Sequence, residues 1–197
     1  LHDFPAHAES IMDLVPVDKV VNAILASIPT AHGHSEPVVY HLATGADNPL
    51  TFKNFADLVQ EHFRREPLSG RGGTARAMPR FTFSSKRRFM LRLRLRYMLP
   101  VRMLQALALL GSMTPWARRW LTTLRAKRSA LGKLAHWAQI YAPYGEVFCR
   151  YKSDRMWKLR DSLSEADLKN FDFVLRDLDW RHHIQDVHIP GTKRFCL

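Results

Sequence analysis

Ile11-Met12-Asp13-Leu14-Val15-Pro16-Val17-Asp18-Lys19-Val20-Val21-Asn22-Ala23-Ile24-Leu25-Ala26-Ser27 is the stretch whose reading decides the fold. Ile11 to Val15 reads as a short buried strand, which Pro16-Val17 breaks. Asp18 stands where a helix N-cap belongs. Its carboxylate is placed to accept a first-turn N–H and to face the positive end of the helix dipole. From Lys19 onward, Val20, Val21, Ile24, Leu25 and Ile28 recur at helical spacing. Strand, tight turn and capped helix is how a doubly wound α/β sheet presents a site at the carboxyl ends of its strands.

Working outward, Val38 to Ala43 reads as a second strand, and Thr44 to Pro49 is dense in turn formers. Thr51 is a good N-cap for a helix over residues 52–64, with Phe55, Leu58, Val59, His62 and Phe63 on one face. Residues 1–66 therefore read as strand–helix–strand–helix. Two strands are too few for an independent sheet, so their neighbours are expected upstream of Leu1. The first residue is not Met, and the chain is expected to be a piece of something longer.

Residues 67–83 read as a linker. Its glycines, Gly70, Gly72 and Gly73, fit neither GxGxxG nor GxxxxGK[ST], so a flexible connection is preferred to a phosphate loop. Residues 84–197 turn helical. MLRLRLRY, Met90 to Tyr97, alternates as a strand would. Its flanks favour helix: Ser84 or Ser85 as cap, Phe89, Leu95 and Leu99 nearby, and Pro100 as terminator. Val101 to Met113 reads as an apolar helix. Thr114-Pro115 starts another, an N-cap followed by Pro at the first helical position. Trp116, Trp120, Leu124, Leu131 and Leu134 mark one face of it. His136 to Cys149 reads as a broken helix. Short helices follow, opened by Ser153-Asp154, by the capping box Ser164 to Asp167, and by Asp179, the last ending at Pro190-Gly191.

The 197 residues carry 30 Lys and Arg against 18 Asp and Glu. The excess is concentrated. Between Pro67 and Gly145 there are 16 Lys and Arg and no acid, leaving 14 basic residues beside all 18 acids elsewhere. Such a segment faces something anionic. Three readings stand: a helix packed by its Trp/Leu stripe with solvated arginines, docking on an anionic membrane, or capture of a phosphorylated substrate or carrier. Nucleic acid is not expected, since no helix-turn-helix, zinc-finger or RNP pattern is present. The longest uncharged run, Met103 to Ala117, has 15 residues, short of the roughly 18–20 of a membrane span. Residues 1–10 lack the apolar core of a signal peptide, and Cys149 and Cys196 are too few for a disulfide scaffold. A cytoplasmic chain, at most peripheral to a membrane, is expected.

Chemistry is sparse. Reductases of the short-chain type need a glycine-rich loop and a Tyr-x-x-x-Lys pair, in which Lys lowers the tyrosine pKa for proton transfer. The residues four after Tyr40, Tyr97, Tyr141, Tyr144 and Tyr151 are Thr44, Val101, Gly145, Phe148 and Arg155; none is Lys. No Gly-x-Ser-x-Gly, His-Glu-x-x-His or paired-Cys motif occurs. His32 and His34 sit in a glycine-containing loop without further ligands at metal spacing, and a solvated loop is the better reading. His182-His183 point to different faces of a helix, and Asp179 is better explained as a cap.

Asp13-Leu14-Val15-Pro16-Val17-Asp18-Lys19-Val20-Val21-Asn22-Ala23, then Val39 to Gly45, Asn48-Pro49-Leu50 and Phe63 to Leu68, in that order, resemble the alcohol-forming fatty acyl-CoA reductases, whose reductase domain is an extended short-chain dehydrogenase. Tyr144 to Phe148, Asp154-Arg155, Phe171-Asp172, Asp179-Trp180 and His188 to Pro190 are similar to the helical C-terminal domain of that family. The resemblance implies an α/β remnant, the last strands and helices of a Rossmann-type sheet, over residues 1–66, and a mainly α-helical C-terminal domain over 84–197. It implies NADPH-dependent reduction of long-chain acyl-CoA to fatty alcohol by a longer protein. The glycine fingerprint and Tyr-x-x-x-Lys of the family precede this stretch. This chain alone is therefore expected to be inactive, with no catalytic, cofactor-binding or metal residue of its own. Val15, Pro16 and Val17 would form a substrate-binding wall near nicotinamide and thioester. The later helices would line an acyl channel, their arginines meeting CoA phosphates or lipid headgroups.

Overall fold

Val38–Ala43 carries no strand, and the strand expected over residues 11–15 shrinks to Ile11–Met12, antiparallel to Leu50–Thr51. The parallel pair expected of them is not there. An extended segment becomes a strand only where a neighbouring backbone completes its ladder. Here that backbone is served otherwise. The Val39 carbonyl accepts from Arg155 Nη1 at 3.1 Å, the Ala43 carbonyl from Ser153 Oγ at 3.4 Å, and the Thr44 N–H donates to Asp13 Oδ1 at 2.6 Å.

The structure is a computed structural model that describes residues 3–31, 36–69, 75–76, 80–110 and 115–196. In chain order its first elements are β1 (Asp3–Phe4), β2 (Ile11–Met12), α1 (Val17–Ser27), β3 (Leu50–Thr51), α2 (Phe52–Arg65), β4 (Leu68–Ser69), β5 (Ala75–Arg76) and β6 (Thr82–Phe83). Helices then dominate: α3 (Lys86–Leu93), a π-turn at Arg94–Met98, α4 (Leu99–Leu110), α5 (Pro115–Tyr141), α6 (Asp154–Asp161), α7 (Glu165–Asn170), α8 (Trp180–His182), a second π-turn at His183–His188, and α9 (Ile189–Phe195). The strands form three two-stranded pairs, β1 with β6 parallel, β2 with β3 and β4 with β5 antiparallel. His32, His34, most of the glycine-rich run and Thr114 lie outside the described residues.

Two compact units result, each assembled from two stretches: Leu1–Ala8 with Pro79–Val147, and Glu9–Met78 with Phe148–Leu197. Residues 84–197 are thus divided between them.

In the second unit, residues 9–78 borrow their core from the far end of the chain. Ala23 and Ala26 of α1 pack with Met156, Leu159 and Phe173, flanked by Tyr40 and Leu42. Leu50 packs with Ile184 and Ile189, flanked by Phe55, Leu58 and Trp180. α1 begins two residues earlier than expected: Pro16 is its N-cap and Asp18 lies inside the first turn without a side-chain capping bond. Asp18 thus favours α1 through the helix dipole rather than as a cap. Three other expected caps hold: Thr51 accepts from the Asn54 N–H, Ser164 from the Asp167 N–H, and Asp179 from the Arg181 and His182 N–H groups. Asn48 closes the unit. Its Nδ2 donates to the Leu175 and Leu178 carbonyls, and its Oδ1 accepts from Trp180 Nε1.

In the first unit the MLRLRLRY segment is helical, as α3 and the π-turn. Ser85 is the N-cap but makes no side-chain capping bond. Pro100 does not end the helix; it is the second residue of α4. Proline lacks an N–H and crowds the carbonyl four residues back, and the π-turn opens the ladder where that conflict arises. The same device lets α9 run through Pro190 and Gly191 after the second π-turn, where an end was expected. α5 continues unbroken to Tyr141, and a 3₁₀ turn at Ala142–Glu146 follows.

The packed stripe of α5 also differs from expectation. Ala117, Leu121, Leu124 and Ala138 are buried, with Leu131, Leu134 and Ala135 against Phe89 and Leu93. Trp116 and Trp120 are 62% and 56% exposed. They sit one residue, about 100° of helix, off that stripe. The small side chain of Ala117 takes the close approach that the bulky indoles cannot.

Candidate functional site

The turn over residues 13–17 is held from one side. Asp13 Oδ1 accepts from both the N–H and the Oγ1 of Thr44, at 2.6 and 3.0 Å, and Thr44 Oγ1 reaches the Leu14 carbonyl at 3.3 Å. A Cβ on Gly45 would lie 3.3 Å from Asp13 Oδ2, so the small residue keeps that loop close. The three residues read as a substrate wall differ in what they offer. Pro16 is buried, Val15 half-buried, and Val17 is 77% exposed. Val21, Ile24 and Ile28 continue the exposed apolar stripe from Val17 along and just beyond α1.

Tyr151 and His183 of this unit have shifted pKa values. The Tyr151 phenol is pushed above its usual range by its bond to Cys149, then by that thiol's charge, burial and Asp13. That is opposite to an activated tyrosine. Burial holds His183 below the ordinary imidazole value, with His188 adding to the effect and Asp18 opposing it. Among the described residues no three His, Cys, Asp or Glu side chains converge as a metal site.

The first unit carries a larger feature. A groove of about 480 Å³ runs between the π-turn with the start of α4 and the C-terminal half of α5. Met90, Leu95, Met98 and Leu99 give it apolar walls, while Arg94, Arg102, His136 and Gln139 add polar groups. Two local features make room. The π-turn adds a residue to one helical turn, and Gly132 removes a side chain from the facing helix. A Cβ built at Gly132 meets nothing within 4 Å. The charge is one-sided: this unit holds 14 Lys and Arg against Asp3 and Glu146. Asp3 is already engaged by Arg92, Ser84 and Thr82 at 3.1, 2.7 and 3.3 Å. A groove with apolar walls and unopposed guanidinium groups suits a molecule with a long apolar tail and an anionic head.

The groove lies within the helical segment expected to line an acyl channel, but Gly132, Arg94, Arg102 and His136 were not singled out there as binding residues. The available signal was Gly132 inside an otherwise strong helical pattern, where glycine is unfavourable unless space is needed.

No family model matches the chain. It is similar to fatty acyl-CoA reductase 1 of Arabidopsis thaliana, 32% identical over 193 residues, covering 95% of this chain and 38% of that protein. It is also similar to the alcohol-forming fatty acyl-CoA reductase of Simmondsia chinensis, 29% identical over 198 residues, again 95% of this chain and 38% of that protein. The chloroplastic fatty acyl-CoA reductase 2 of Arabidopsis thaliana matches all of this chain over 32% of its own length at 28% identity. The chain thus spans about two fifths or less of these relatives, and along nearly its whole length it is similar to fatty acyl-CoA reductases.

Proposed function

We propose that this chain is the substrate-handling portion of an NADPH-dependent fatty acyl-CoA reductase that takes long-chain acyl-CoA to the fatty alcohol. The similarity along nearly its whole length to proteins of that name carries the proposal. The groove supports it. An acyl chain would lie along Met90, Leu95, Met98 and Leu99, and CoA phosphates would meet Arg94 and Arg102. Desolvated alkyl surface supplies affinity, and charge-assisted bonds from guanidinium to phosphate fix the head.

Residues 1–66 would finish a Rossmann-type sheet begun elsewhere. The exposed stripe on α1 is what such a helix presents when the sheet it covers lies outside the chain. Val15, Pro16 and Val17 would then be substrate-binding residues at the end of that sheet. NADPH itself does not fit residues of this chain. No glycine-rich cradle or Tyr-x-x-x-Lys is present, and the Tyr151 phenol is pushed upward. No hydride step is assigned to these residues. A cytoplasmic setting with peripheral contact to an anionic membrane completes the reading, because acyl substrates partition into bilayers.

Calorimetry on the 197-residue chain tests it. Palmitoyl-CoA binding without stoichiometric NADPH binding and without turnover is expected. A polypeptide joining this stretch to a glycine-rich turn and Tyr-x-x-x-Lys is expected to oxidise NADPH with palmitoyl-CoA. NADPH uptake by this chain alone, or indifference to palmitoyl-CoA, would overturn the proposal.

A further inference from the structure

We propose that the end of the α4–α5 pair is a monotopic membrane-docking element, inserting Leu107, Leu110, Trp116 and Trp120 into the headgroup boundary of an anionic bilayer. The inference gives the proposed membrane contact a particular element. Its test reads lipid binding rather than reduction, so either reading can fail alone.

α4 is turned inside out for a helix in water. Among its described residues the buried side chain is the polar Gln105, while Met103, Leu107 and Leu110 are 60%, 63% and 86% exposed. These three share one face, at i, i+4 and i+7. α4 packs on α5, and the C-terminal half of α5 packs on Phe89 and Leu93 of α3. α4 and α5 therefore run antiparallel, and the end carrying Leu107 and Leu110 is also the end carrying Trp116 and Trp120.

Large apolar side chains exposed together at one end of a helix pair mark an interaction site, and the charge around them selects the partner. Arg118 and Arg119 lie between the two tryptophans, Arg125, Lys127 and Arg128 follow, and no acid occurs from residue 67 to 145. A cationic rim around leucine and tryptophan complements an anionic lipid surface. Indoles settle at the headgroup level, and arginines reach outward to phosphate. The element lies on the bilayer rather than through it. The 12 residues of α4 reach about 18 Å, and among the described residues no helix is long and apolar enough to cross.

The chain is co-sedimented with vesicles of phosphatidylcholine alone or with about 30% phosphatidylserine, at about 0.05 and 0.5 M salt. Expected are binding to the anionic vesicles, loss of most of it at high salt, and quenching of tryptophan fluorescence by lipids brominated on the acyl chain. L107D/L110D is expected to lower partitioning about tenfold or more, with an unchanged far-UV circular dichroism spectrum. Equal pelleting with neutral lipid, no quenching by brominated lipid, or full binding by L107D/L110D overturns the proposal. So does a wild-type dimer that L107D/L110D dissociates while neither protein binds lipid.

Discussion

Replacing Asn48 tests the most specific long-range joint in the structure. Its Nδ2 donates to the Leu175 carbonyl at 3.0 Å and the Leu178 carbonyl at 2.8 Å, and its Oδ1 accepts from Trp180 Nε1 at 3.0 Å. Those partners lie 127 to 132 residues away. N48A removes three bonds, each worth about 1 kcal/mol net. The site is half-buried, so water returns to part of it, and a loss of about 2–3 kcal/mol is expected. N48D separates geometry from chemistry. It keeps the acceptor for Trp180 but turns the donor into a second acceptor facing two carbonyls, so at neutral pH it should cost about 1 kcal/mol more than N48A. The sign with pH follows. Two carbonyls disfavour the ionised form, so the folded pKa of the introduced carboxyl lies above its unfolded value of about 4. The extra penalty is fully present above the folded pKa and disappears as pH falls below the unfolded one. Urea unfolding followed by tryptophan fluorescence and far-UV circular dichroism, at pH 7 and pH 4, reads both effects. Wild-type stability in N48A, or N48D at least as stable as N48A at pH 7 with no response to pH, would refute the reasoning.

Gly132→Leu should fill the groove of the first unit, because a Cβ there meets nothing within 4 Å. Thermal stability should hold or rise, by up to about 1 kcal/mol from helix propensity, while palmitoyl-CoA affinity measured by calorimetry falls at least several-fold. Gly145→Ala should destabilise the first unit by about 1–3 kcal/mol, read by chemical denaturation, since its Cβ would stand 2.7 Å from Ala6 Cβ and 2.9 Å from Ala6 Cα. Burial alone would raise the Asp172 pKa, but the bond from Lys19 Nζ at 2.5 Å and the Val174 N–H outweigh it and hold the carboxyl below its usual range. That stability is present above the ordinary carboxylate value of about 4 and is lost as pH falls through the lowered folded value. Lys19→Met should flatten this part of the urea-midpoint profile.

What could be read in the sequence was what depends on near neighbours. Thr51, Ser164 and Asp179 each cap a helix within three residues of themselves, and those helices start where the sequence says. The helical character after Ser84 and the uniform charge from Pro67 to Gly145 are equally local. The tertiary structure decided whatever depends on residues far along the chain. Val38–Ala43 is not a strand, because Arg155, Ser153 and Asp13 take up its backbone and that of Thr44. Pro100 and Pro190 pass inside helices because a π-turn precedes each. Trp116 and Trp120 face outward because Ala117, Leu121 and Leu124 took the packed stripe. The physical reason is common to all three. A cap or a helical period is set by bonds spanning a few residues, whereas strand pairing, the fate of a proline and the choice of buried face depend on which distant surface arrives to complete the hydrogen bonds and exclude water.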